Sequence, residues 1–115
     1  MVYELAKKNA VGIAEIDPVE VARSAEKVRI VDVREIDEFS GPLGHIQGSE
    51  CVPLGTIATT AASWDKSAEL VLVCRSGNRS ATATQTLEGL GFSHVMNMTG
   101  GMLRYNELGL TRAPG

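Results

Sequence analysis

Three short apolar runs punctuate the chain, Arg29–Val33 (RIVDV), Glu50–Leu54 (ECVPL) and Leu70–Cys74 (LVLVC), and each reads as a β-strand. The third is almost wholly apolar, as for a strand covered on both faces of a parallel sheet. Val95–Met98 is a weaker fourth run, and Gly12–Ile16 reads as a short edge strand. Helical signals fall between them. Asp17 supplies an N-cap, Pro18 occupies the first helical position and Glu20 the third. Glu35 to about Phe39 reads as a short helix stopped by Ser40-Gly41-Pro42. Thr56 to about Ala62 is a third helical segment, built from residues that form helices poorly. From Ser80 to Leu90, the apolar residues Ala83, Leu87 and Leu90 stand at i, i+4 and i+7, and Gly91 follows at the helix end. Strands alternating with short helices predict βα units in a three-layer α/β/α domain around a central parallel sheet. Such sheets bind ligands beyond the carboxyl ends of their strands, which directs attention to the segment after Val73.

Composition narrows the classes. The chain has 115 residues, which fits one domain, with residues 11–110 as its core and 1–10 as an N-terminal extension for which fraying is the default. Val, Ile, Leu and Phe make up 29 of the 115 residues, about a quarter, so a core is within reach. Eleven Lys and Arg against fourteen Asp and Glu, with no dense basic block, give no footprint for nucleic acid. No apolar run approaches the ~18 residues of a membrane span. In the N-terminal MVYELAKKNA, charges stand where a signal peptide needs its apolar stretch. Two cysteines, Cys51 and Cys74, are too few for a disulfide framework and lack the spacing of a zinc site. The expectation is a soluble cytoplasmic protein with reduced thiols.

The segment after Val73 is Cys74-Arg75-Ser76-Gly77-Asn78-Arg79-Ser80, with the next helix beginning near Ser80. A thiol here would lie over loop and helix N–H groups at the positive end of a helix dipole, an arrangement that binds anions and favours a thiolate. Cysteines at helix N-termini or beside Arg have pKa values of about 3.5–7.5, against about 8.5 for a free thiol. Cys74 is therefore a candidate nucleophile, and Arg75 to Ser80 are candidate binding residues. The ordinary alternative is a small buried cysteine followed by a solvated turn, and spacing alone leaves that alternative slightly ahead.

The wider pattern changes the balance. Val73-Cys74-Arg75-Ser76-Gly77-Asn78-Arg79-Ser80 resembles the active-site loop of rhodanese-domain sulfurtransferases. Asp32-Val33-Arg34-Glu35 with Phe39, Gly44-His45-Ile46-Gln47-Gly48-Ser49 with Pro53, Gly91-Phe92, and Gly100-Gly101-Met102 with Gly109-Leu110 resemble four further segments of that family, in order. The resemblance spans about Ile13 to Leu110. It implies that the Cys74 thiolate takes sulfur from thiosulfate or a persulfide and passes it to cyanide, a small thiol or a protein thiol. It also implies that loop N–H groups cradle the sulfur and that Arg75 and Arg79 attract donor charge, with Arg79 the closer contact. The same resemblance implies that neither metal nor organic cofactor is needed. Cysteine-dependent phosphatases use Cys-x5-Arg. Here Arg79 makes Cys-x4-Arg, a ring suited to one sulfur rather than a phosphate or arsenate. The competing class is a binding or regulatory module of the same fold that relays sulfur to, or docks on, a partner protein.

The remaining residues receive supporting or packing readings. Asp32 and Arg34 are expected as a hydrogen-bonded or salt-bridged pair near the site, and His45 as a structural hydrogen bonder. Cys51 stands where the family commonly has asparagine, and reads as a buried strand cysteine rather than a resolving thiol. Tyr105 replaces a usual tryptophan with consequences for packing, Trp64 reads as packing, His94 as a surface residue, and Met96, Met98 and Met102 as core. No feature of the chain sets its oligomeric state.

Overall fold

The apolar run at Leu70–Cys74 divides its side chains between two cores. Leu70, Leu72 and Cys74 join Val31, Val33, Ala83, Leu87 and Val95 in one cluster. Val71 and Val73 join Ile30, Met96, Met98 and Met102 in the other. The period of two is that of a strand covered on both faces, and each aliphatic side chain buried this way contributes about 1.5–3 kcal/mol.

A computed structural model describes residues 1–113. Residues 114 and 115, the end of the expected single domain, lie outside the described residues. In chain order the strands are β1 (Lys7–Lys8), β2 (Ala14–Ile16), β3 (Arg29–Asp32), β4 (Glu50–Cys51), β5 (Glu69–Val73) and β6 (His94–Met98). The helices are α1 (Pro18–Ser24), α2 (Ile36–Phe39), α3 (Ile57–Thr60), α4 (Asn78–Gly89) and α5 (Gly101–Glu107). The sheet order is β1-β2-β6-β5-β3-β4. Strands β2 to β4 in that order run parallel, as expected, whereas β1 pairs antiparallel with β2 and makes the sheet mixed. Helices α1 and α5 pack together on one face, and α4 packs on β5 and β6 from the other.

Local chemistry accounts for the element ends. Asp17 caps α1 by accepting from the Val19 N–H at 2.8 Å. The expected strand Glu50–Leu54 is shorter in regular structure, because Pro53 supplies no N–H. Its hydrogen bonding nevertheless continues, with Val52 N–H donating to Asp32 O and Leu54 N–H to Val33 O. The Thr56–Ala62 segment breaks into a single α-turn at Ile57–Thr60 between two 3-10 turns, in keeping with its threonines. Two elements had no periodic signal: β1, whose two lysines are both exposed, and α5.

The N-terminal residues pack rather than fray. Val2 is buried in the core, the Tyr3 N–H donates to Glu69 Oε2 at 2.6 Å, and the Tyr3 ring meets the His94 ring edge-on at 5.1 Å. His94 is therefore half-buried at the start of β6 rather than a surface residue.

Candidate active site

Strand β5 ends at Val73, which leaves Cys74 as the first residue of the loop, with its side chain on the α4 face and only 1% exposed. Gly77 adopts φ +104°, a left-handed turn that L side chains rarely adopt, and α4 starts directly after it at Asn78. This is two residues earlier than the apolar periodicity indicates, because a helix's first turn faces the loop and need not be apolar. The Gly77 N–H thereby points back at the sulfur, donating to Cys74 Sγ at 3.1 Å. The Ser80 hydroxyl approaches the same sulfur at 3.3 Å.

These donors set the charge state of the thiol. Burial pushes the Cys74 pKa up. The Ser80 hydroxyl and the N–H groups of Ser80, Gly77 and Ser76 together outweigh burial and bring it below the ordinary thiol value. Cys51 goes the other way. Burial pushes its thiol up with help from the Asp32 carboxylate, and its Sγ contacts the Arg34 carbonyl at 3.4 Å. It is half-buried in β4 rather than fully buried.

The loop is held from outside as well as aimed inward. The first N–H groups of α5 donate to the loop carbonyls, Met102 to Cys74 O at 2.9 Å and Leu103 to Arg75 O at 3.0 Å. With the Cys74 and Arg75 carbonyls turned to α5, the N–H groups of Ser76, Gly77 and Ser80 face the sulfur. Gly101 makes this contact possible: it has φ +58°, and a Cβ there would run into the Arg75 carbonyl and come within 2.5 Å of Cys74 O. From the neighbouring strand, Asn97 accepts from the Ser80 hydroxyl at 2.5 Å and donates to Gly77 O at 3.2 Å. Asn97 was missed in the sequence. Its signal is a polar residue alternating with Val95 on the α4 face of an otherwise apolar strand.

Asp32 and Arg34, each 1% exposed, form a bidentate ion pair at 2.9 and 2.7 Å. Arg34 also donates to Gly44 O at 2.8 Å and to Glu38 O at 3.2 Å, so it ties α2 and the following loop to the sheet's carboxyl edge. His45 stacks on Phe39 at 3.8 Å between ring centroids, and its Nδ1 lies 3.0 Å from Phe39 O. Arg79 is half-buried in a bidentate ion pair, at 2.7 and 2.9 Å, with Glu38, a residue the sequence did not single out. Arg75, Ser76 and Asn78 are exposed, and Arg75 forms no ion pair among the described residues. A cleft of about 260 Å³ opens beside the loop between Arg34, Glu38, Pro42, Leu43 and Arg75.

The residues read as packing lie in the cores. Met96, Met98 and Met102 are fully buried, and Tyr105 donates its hydroxyl to Thr111 O at 2.7 Å. Trp64 packs against the α4-side core with the Arg29 guanidinium 3.9 Å from its ring centroid.

Comparison with known proteins places this geometry. The chain is similar to the thiosulfate sulfurtransferase GlpE of Pseudomonas aeruginosa (strain PAO1), with 36% identity over 75% of this chain and 77% of that protein. It is 38% identical to the protein YrkF of Bacillus subtilis, named as a candidate sulfur carrier, over 69% of this chain. The chain spans less than half of YrkF, 42% of its length. Among solved structures, a rhodanese-like domain protein from Staphylococcus aureus superposes with TM-score 0.73 and 30% identity, covering 86% of this chain and 97% of that one. A rhodanese-related protein from Thermoplasma volcanium gives TM-score 0.76 and 26% identity, covering 84% and 94%. The Rhodanese-like domain family itself matches residues 17–108, and the chain belongs to that family.

Proposed function

We propose that the protein is a sulfurtransferase that moves sulfane sulfur from thiosulfate or a persulfide donor to a thiophilic acceptor through a Cys74 persulfide. The observation that carries the reading is the convergence of the Gly77 N–H and the Ser80 hydroxyl on the sulfur of a buried thiol whose pKa they help to lower. In the first half-reaction the Cys74 thiolate attacks the outer sulfur of thiosulfate. The S–S bond breaks, sulfite leaves with the electron pair, and the outer sulfur stays on Cys74 as a persulfide anion. In the second, an acceptor such as cyanide attacks that outer sulfur, thiocyanate leaves and the thiolate returns. This is covalent catalysis with ping-pong kinetics.

The roles follow from position. N–H groups from Arg75 to Ser80 hold negative charge on the terminal sulfur, and Arg75 draws in anionic donors. Arg79 does so less than its expected closer contact implied, because it is paired with Glu38. Asp32, Arg34 and His45 support the surrounding backbone. The Cys-x4-Arg spacing argues against a phosphatase. A relay module is the second reading, and it draws on the likeness to YrkF. We also take the chain as one rhodanese-like domain with an N-terminal extension. Its two unpaired thiols suit a reducing compartment such as the cytoplasm, and no described helix is long and apolar enough to cross a membrane.

Intact-protein mass spectrometry tests the cycle. Incubation with thiosulfate or a persulfide should add one sulfur at Cys74, and cyanide should remove it as thiocyanate. Ready alkylation of Cys74 without loading by any donor would overturn the reading.

A further inference from the structure

Arg79 does not meet the site as a free cation. Its two terminal nitrogens lie fork against fork on the Glu38 carboxylate. That carboxylate is itself fixed, because Oε1 also accepts from the Glu35 N–H at 3.0 Å and the Glu38 carbonyl accepts from Arg34. Arg34 in turn is neutralised by Asp32. Among the described residues Arg75 is thus the one arginine lining the cleft that is in no ion pair, Arg112 lies at the rim on the Pro42 carbonyl, and Glu38 lines that same cleft.

We propose that Glu38 is a specificity-determining residue of this site: by neutralising Arg79 it disfavours small anions at Cys74 relative to uncharged reagents of the same reactivity. For its donors the inference rests on the sulfur-transfer reading, so thiosulfate is selected against and neutral sulfane donors are favoured. For its electrostatics it rests only on the geometry. Glu38 keeps its charge across any working pH, since hydrogen bonding from Arg79 holds its carboxyl at about 2. Removing one negative charge several ångströms from an approaching monovalent anion changes its encounter rate by roughly fivefold, at an effective dielectric between those of protein and water.

The test compares two alkylating reagents in the intact chain. In both iodoacetate and iodoacetamide the Cys74 sulfur displaces iodide, but only iodoacetate is an anion. Peptide mapping assigns the product to Cys74. Glu38→Gln should raise the ratio of iodoacetate to iodoacetamide rate constants about fivefold at low ionic strength, and salt should erase the gain. Glu38→Ala should do the same. Because the ratio is internal, a loosened loop that slows both reagents leaves it unchanged. An unaltered ratio in both variants overturns the proposal whatever the sulfur chemistry proves to be. Loading from thiosulfate, which leaves a Cys74 persulfide and sulfite, should rise in Glu38→Gln relative to reaction with a neutral organic trisulfide. In that reaction the Cys74 sulfur attacks the central sulfur, a thiolate leaves and a mixed trisulfide forms. If the alkylation ratio rises and no donor loads either protein, anion selection by Glu38 stands and the sulfur-transfer reading falls.

Discussion

Ser80 Oγ stands 3.3 Å from Cys74 Sγ, and the same hydroxyl lies 2.5 Å from Asn97 Oδ1. A hydroxyl has one proton, so it cannot donate to both. With Cys74 as a thiol, the proton goes to Asn97. With Cys74 as a thiolate, the sulfur becomes the stronger acceptor and competes for it. Ser80→Ala removes that donor and should raise the Cys74 pKa, since the hydroxyl is among the donors that hold it down. The midpoint of alkylation rate against pH reads this directly, and an unmoved midpoint would show that the N–H groups alone hold the thiolate.

The two thiols should separate by pH. Cys74 lies below the ordinary thiol value and Cys51 above it. Iodoacetamide near neutral pH should therefore label Cys74 well before Cys51. A folded pKa below the unfolded one means the unfolded chain binds more protons between the two values. The Cys74 contribution to stability is thus present in full above the unfolded value near 8.5 and lost as pH falls through the folded value. Denaturation midpoints across that window should slope upward with pH in the wild type, and Cys74→Ser should flatten the slope.

Cys51 should be dispensable for sulfur loading. Cys51 pairs with Asp32 and Asp32 with Val73, so two strand spacings, about 9.6 Å, separate Cys51 from the residue before Cys74. Disulfide geometry needs Cα atoms within about 7 Å. Cys74→Ser should abolish loading in the mass assay, and Cys51→Ser should leave it within about twofold. Equal losses in the two variants would make Cys51 a participant.

Gly101→Ala should strike the loop without touching a reacting group. Its Cβ has nowhere to go against the Cys74 and Arg75 carbonyls, and its φ of +58° is strained for alanine. A cost of about 1–3 kcal/mol is expected from the strain, with a rise in the Cys74 pKa as the loop carbonyls lose their α5 donors. Urea unfolding and the alkylation profile measure the two effects. A loss of stability with an unchanged profile would separate α5 from the cradle.

Arg34→Ala leaves the Asp32 carboxylate 1% exposed with no cation, and strips donors from Gly44 O and Glu38 O. Breaking one partner of a buried pair costs about 3–5 kcal/mol. Urea denaturation should register that loss. A change under about 1 kcal/mol would mean that water replaces the guanidinium.

The sequence by itself determined the frame. The alternation at Leu70–Cys74 forces one strand to face two cores, the Asp17-Pro18 pair starts α1, and strand ends at Val73 and Asp32 place Cys74, Asp32 and Arg34 on one edge. These features come from local periodicity and capping, which are written in consecutive residues. Only the tertiary structure decided what surrounds the sulfur. Asn97 reaches Ser80 because β6 lies beside β5, Glu38 meets Arg79 across 41 positions of sequence, and Gly101 supports the loop because α5 turns back on it. The two-residue strand β1 is the same kind of case: two exposed lysines carry no apolar alternation, and their pairing exists only because β2 offers a free edge. Hydrogen bonds and ion pairs between distant segments leave no periodic trace in a chain, because their geometry exists only once the sheet has set the distances.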